Sequence, residues 1–194
     1  MELNTYPLVC TRGVVLYPNQ EIVIDVGRDT SVHAVENAQD NYDKKICLFS
    51  QKELEKENPG KEDIYPVGTL CEVRHIRRFD NFLRVKFRGI KRVKLNNWIN
   101  GSLSDLAEVE ILESEKQDAV EEEALIRMIA DELDRMQGQD RFVTKEIVME
   151  ISKGMGGEFL SDKAVQGLPL DIERKQQYLE TLGVNDRLMM LLQD

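Results

Sequence analysis

The chain has 194 residues and a mass of 22.4 kDa, with 41% hydrophobic and 32% charged positions, enough material for one large or two small globular domains. Its 36 acidic and 26 basic residues give a formal charge of −10 and a pI near 4.9, which argues against wholesale nucleic-acid binding. No apolar run reaches the roughly 18 to 20 residues of a membrane helix. Met1-Glu2-Leu3-Asn4 opens neither a signal peptide nor a lipidation motif, so the expected location is cytoplasmic, away from membranes.

Charge is unevenly spread: nine of the 26 basic residues fall between positions 71 and 95, where only two acids stand. Strand-like runs fill the first part of the chain at Tyr6–Cys10, Glu21–Val26, Lys45–Ser50, Ile64–Ile76, Phe82–Phe87, Lys91–Trp98 and Leu106–Leu112. One helix interrupts them after Gly27, with Asp29 or Ser31 as its cap and Val32, Val35 and Ala38 as its apolar stripe. Gln51 to Asp63 contains Asn58-Pro59-Gly60 and eight charged residues and reads as a solvated loop. Phe79-Asp80-Asn81-Phe82 places two turn-forming residues between aromatics, the mark of a tight hairpin.

Helical spacing takes over after about Glu115, which sets an expected boundary between a β-rich lobe, 1–115, and a helical bundle, 116–194. The first helix of that bundle carries Val120, Ala124, Leu125, Met128, Ile129, Leu133 and Met136 at threes and fours, with Gly138 to stop it. A second uses Phe142, Ile147, Val148 and Ile151, and a short third spans Leu160 to Val165. Asp171 caps a fourth carrying Ile172, Leu179 and Leu182, and Asn185 caps a last segment with Leu188, Leu191 and Leu192. That segment meets no stop signal, so the bundle is expected to be truncated at its C-terminal end.

The search for chemistry is largely negative. No phosphate-binding Gly-x-x-x-x-Gly-Lys-Ser/Thr occurs, and the serines of Ser152-Lys153 and Ser161-Asp162-Lys163 sit beside lysines without a recognisable oxyanion hole. Cys10, Cys47 and Cys71 are isolated in apolar sequence and read as reduced core residues; with His33 and His75 they draw no zinc site of usual spacing. The acids at 121–123 and 131–134 suit the first turn and outer face of an amphipathic helix. Arg84, Lys86 and Arg88 alternate with Leu83, Val85 and Phe87, giving a cationic and an apolar strand face. A solvated sheet face accounts for this more simply than an anion or nucleic-acid site, the weaker alternative.

These residues also carry a resemblance. Tyr6-Pro7-Leu8-Val9-Cys10-Thr11-Arg12-Gly13-Val14-Val15-Leu16-Tyr17-Pro18, followed by Ile22-Val23-Ile24-Asp25-Val26-Gly27-Arg28, resembles the opening of the amino-terminal domain of the ATP-dependent Lon proteases. In order, Val67-Gly68-Thr69-Leu70, the run from Val85 to Val93, Glu108-Val109-Glu110, Lys175-Gln176-Gln177-Tyr178-Leu179-Glu180 and Arg187-Leu188 look like further family landmarks. Asn19 stands where the family usually has Gly.

The resemblance implies an α+β fold, a β-rich pseudobarrel lobe with one helix followed by a helical bundle. It also implies a noncatalytic substrate-recognition and assembly domain, with no cofactor of its own and ATP and Mg acting in the parent protease. Expected partners are unfolded or degron-bearing proteins, and other copies of the chain in the parent ring. A freestanding adaptor for one defined partner is the alternative. The expected client-binding residues are Val15, Tyr17, Pro18 and Ile22 around a turn, and Phe79 and Phe82 on the hairpin, because turns lie at surfaces and these side chains are large and apolar. Equally, Tyr17 and both phenylalanines would simply cap a core.

Overall fold

In the computed structural model of the chain, residues 3–136, 149–150 and 153–194 are described. The chain divides into two units, Met1–Leu112 and Glu113–Asp194. The first is built on six strands and one helix: β1 (Leu3–Thr11), β2 (Glu21–Val26), α1 (Asp29–Asn41), β3 (Lys45–Ser50), β4 (Val67–Arg78), β5 (Leu83–Ile99) and β6 (Leu106–Leu112).

The sheet runs β2-β5-β4-β3-β1-β6, and β6 then returns to pair with β5, so β5, β4, β3, β1 and β6 close into a ring. Closure removes the exposed edges that an open sheet presents. All pairings are antiparallel except β1 with β3, which β2 and α1 connect. Sequence patterning suggests two strands where the structure has the single 17-residue β5. Its first half, Leu83 to Arg88, pairs with β2, and its second half, Arg92 to Ile99, pairs with β6 on the same edge. Register shifts against β4 near Leu70/Cys71 and Val73/His75 bend the strand between these two roles without ending it.

Strand β3 is buried on both faces, as expected of a strand in a parallel pair. Ile46 and Leu48 pack with Ala34, Val35 and Ala38 of α1, and Cys47 and Phe49 point the other way, among Leu8, Leu70, Val93, Leu95 and Val109. This unit therefore has two cores back to back across β3. Two capping expectations change here. Arg28, with extended backbone, precedes α1 and gives it no side-chain cap, while Ser31 is buried inside the first turn. The 51–63 loop is also tied down: Gln51 pairs with Ile64, Lys61–Asp63 form a short 3-10 turn, and the Lys56 ammonium lies 2.6 Å from Asp63.

The second unit contains α2 (Ala119–Met136), α3 (Gly157–Gly167), α4 (Ile172–Glu180) and α5 (Val184–Leu191). Asp118 accepts from the Val120 and Glu121 amides at the start of α2, and Asp171 accepts from the Arg174 amide at the start of α4. Leu125, Ile129, Leu160, Val184 and Leu188 form the core. Gly183, rather than Asn185, precedes α5; Asn185 is buried within the helix and donates to the Asp118 carbonyl and the Glu121 carboxylate. The expected helix over Phe142, Ile147, Val148 and Ile151, and the Gly138 stop, lie outside the described residues. Among the described residues no helix is long and apolar enough to cross a membrane.

Candidate binding surface

The turn after β1 is held from beneath. The Val14 carbonyl accepts from the Thr11 and Ser50 hydroxyls at 2.8 and 2.5 Å, and the Leu16 carbonyl accepts from the Thr69 hydroxyl at 2.5 Å. Beyond them, the Gln20 amide donates to the Tyr17 carbonyl at 3.2 Å, and Asn19 has φ +61°. Pro at the second and a left-handed residue at the third position are the signature of a type II turn. Asn enters that region more readily than other residues with a side chain, so it can stand where the resembled family has Gly.

These anchors draw the turn's side chains inward. Tyr17 is 0% and Val15 3% exposed, and Pro18 is also buried. The expectation that they offer apolar surface is thus corrected in this conformation: they fill space under the turn, because three hydrogen bonds from strand hydroxyls pull its backbone onto the sheet. Ile22 is half-buried against the core that α1 covers.

The hairpin is different. Phe79 and Phe82 are both half-buried, and the Phe79 amide donates to the Phe82 carbonyl at 3.0 Å. Their rings stack with centroids 4.6 Å apart and planes 12° apart. The Arg77 guanidinium lies 5.1 Å from the Phe79 centroid, and Arg84 lies 5.4 and 5.7 Å from the two rings, so cations flank the aromatic pair.

Behind this tip runs the basic island, and part of its charge is met by acids of the sheet and of α1. Arg84 gives two 2.7 Å hydrogen bonds to Asp25 on β2, and the Lys86 ammonium lies 2.6 Å from Glu21. Arg84 therefore holds the Asp25 carboxyl below the usual carboxylate range, as Lys86 does for Glu21. Arg74 bonds Glu72, and Arg78 bonds Glu36. Arg77 forms no ion pair among the described residues and faces Phe79. Val23, 55% exposed between Glu21 and Asp25, is the surface member that sequence reading missed; its two acidic neighbours are the signal that it stands on the polar face of β2.

Residues 5–193 match the family model of the ATP-dependent protease La (LON) substrate-binding domain. Lon protease of Buchnera aphidicola subsp. Acyrthosiphon pisum is 31% identical over 192 residues, covering 98% of this chain and 25% of that protein. Lon protease of Syntrophomonas wolfei is 33% identical over 194 residues, again 98% of this chain and 24% of that protein. The chain thus spans about a quarter of the length of the curated relatives it matches. Among solved structures, the N-terminal domain of Mycobacterium avium complex Lon protease superposes with a TM-score of 0.78 at 18% identity, covering 98% of this chain and 97% of that one. The Lon N-terminal domain protein of Xanthomonas campestris gives 0.68 at 15% identity, with 97% of each chain covered. The ring of strands with its helical unit is therefore the fold of Lon N-terminal domains, and the match over nearly the whole sequence makes this chain a member of the LON substrate-binding domain family.

Proposed function

We propose that the chain is the client-engaging domain of a Lon-type ATP-dependent protease and that the hairpin tip is where it first meets an unfolded client. The observation that carries this reading is the half-buried Phe79–Phe82 stack with Arg77 at its edge and exposed Val23 on the adjoining strand. Misfolded proteins display apolar side chains that native proteins hide, and a small apolar platform with a charged rim takes them up without demanding a particular sequence. Affinity at one such platform is low, and several copies in the ring of the parent protease raise it through avidity. ATP and Mg belong to the parent protease's other modules. Ile22, half-buried on the same strand as Val23, is a partly accessible flank.

The test is Phe79→Ser and Phe82→Ser, each with binding of a permanently unfolded protein followed by fluorescence anisotropy and stability followed by thermal unfolding. The expected result is binding weakened about tenfold, roughly 1.4 kcal/mol, with the melting temperature nearly unchanged. Unchanged binding in both variants overturns the proposal. High salt is expected to weaken binding little; a steep salt dependence moves the site to the cationic strand face.

A further inference from the structure

At the amino end of α1 the structure leaves three kinds of hydrogen-bond donor facing open space. The 13-residue helix begins at Asp29 with no side chain capping its first amides, although Asp29 itself is in the first turn. Beside it lies a cleft of about 330 Å³ whose lining includes Thr11, Arg12, Arg28 and Ser31, with Val9 and Val26 as apolar wall. A second cavity of about 180 Å³ shares Arg28 and Ser31 with the first. Ser31 is only 7% exposed, and its hydroxyl forms no hydrogen bond with another described residue. The hydroxyl is not sealed in the core, so its donor is open to the cavities that Ser31 lines.

The charges point the same way. Arg28 donates to the Cys10 carbonyl, the Gln51 side chain and the Lys56 carbonyl, all neutral groups. Its pKa is lowered first by burial and then by the nearby charge of Arg12, so two cations crowd the cleft. The acid that also lines it, Asp25, is held by two bonds to Arg84. Glu57 and Asp105 line the second cavity, and Glu57 partly offsets Arg28 from there. An uncapped helix start adds partial positive charge to this pair.

We propose that this cleft is a binding site for a compact oxyanion, a carboxylate or phosphate, held by the first amides of α1, the Ser31 hydroxyl and the Arg12 and Arg28 guanidiniums. Helix starts and arginine forks both match oxyanion geometry. The apolar wall favours an oxyanion carried on an apolar stem, such as the terminal carboxylate of a peptide, over a fully hydrated ion. The site is separate in composition from the Phe79–Phe82 platform.

The experiment titrates isotope-labelled protein, at constant ionic strength, with inorganic phosphate, with a short N-acetylated peptide ending in a free Leu carboxylate, and with the same peptide amidated. Expected are saturable shifts of the Asp29, Thr30 and Ser31 amide resonances with phosphate or with the acid peptide, and none with the amide. Saturation by phosphate assigns a free anion; saturation by the acid peptide alone assigns a chain terminus. Arg12→Gln, whose side chain is exposed, should weaken binding at least about tenfold while leaving the fold intact, and Ser31→Ala should weaken it less. Arg28→Gln is the harsher variant because it also frees Gln51. Absence of saturable shifts with both anions, or equal binding by Arg12→Gln, overturns the proposal. Phe82→Ser leaves this titration unchanged, so it succeeds or fails independently of the client-binding reading.

Discussion

A Cβ on residue 89 would lie 2.1 Å from the Tyr17 carbonyl oxygen, inside any permitted contact, so Gly89 is what lets the turn lie against β5. Two hydrogen bonds of 2.9 Å seal that approach, from the Asn19 amide to the Gly89 carbonyl and from the Gly89 amide to the Gln20 carbonyl. Gly89→Ala must therefore push the turn off the sheet. We expect a loss of about 2–3 kcal/mol and a melting point lower by on the order of 10 °C, measured by thermal unfolding of the β-rich unit's signal. A shift of only a degree or two contradicts the packing described.

Tyr17→Ser removes a ring with no exposed surface from the same junction. The expected cost is about 3–5 kcal/mol in urea unfolding, in contrast to the nearly neutral Phe82→Ser. If Tyr17→Ser weakened client binding at unchanged stability, the turn would have to open in the working state.

Much of this was legible beforehand. Period-2 alternation located the strands, and the Phe79–Phe82 hairpin was readable from Asp80-Asn81 between aromatics. The continuity of β5 was not, because Gly89-Ile90 looks like a break until its two neighbours, β2 and β6, are known to share one edge. Burial of Tyr17 was hidden for a related reason: it depends on hydroxyls of Thr11, Ser50 and Thr69 from three different strands. The α1 cleft combines Arg12 with Arg28 and Ser31, which no local spacing brings together.

The ion pairs along β2 predict an acid dependence with a definite sign. Glu21 and Asp25 have folded pKa values below their ordinary 4.5 and 3.8, chiefly through hydrogen bonds from Lys86 and Arg84. Their stabilisation is fully present above those ordinary values and is lost as pH falls through the lower, folded ones. Urea midpoints taken between about pH 6 and pH 2 should fall less steeply for Asp25→Asn than for the parent chain, and about 1 M NaCl should narrow the difference, since both pairs are exposed. Parallel curves would mean that the β2–β5 pairs contribute nothing measurable.

The three cysteines are free. Burial pushes the Cys10 thiol up to about 12 and raises Cys47 and Cys71 from their usual 9.0 as well. Near pH 8 the thiolate of Cys10 is then about one part in ten thousand. Native protein should react with a thiol reagent orders of magnitude more slowly than a free thiol, and all three cysteines should react promptly in strong denaturant. A fast stoichiometric phase in the native state would show that a cysteine is more open than the fold allows.

In the helical unit, Arg187 occupies the position that sequence reading could mark only as a landmark. It is 0% exposed, and its guanidinium donates to the Ser161 hydroxyl at 3.1 Å, to the Thr181 and Leu182 carbonyls at 2.8 and 3.2 Å, and to the Ser114 hydroxyl at 3.3 Å. Asp162, almost equally buried, lies 3.9 Å away. One planar fork thus ties the segment before α2, the middle of α3 and the connection between α4 and α5. Arg187→Ala removes a buried cation from beside a buried carboxylate and vacates four acceptors, so the expected loss is about 3–5 kcal/mol in thermal or urea unfolding of the helical signal. Arg187→Lys should recover only part of it, because a point charge with rotatable donors cannot span acceptors on three segments at once. Pairing Arg187→Met with Asp162→Leu removes both charges and should cost less than the sum of the single changes; strict additivity would show that the two residues are not coupled.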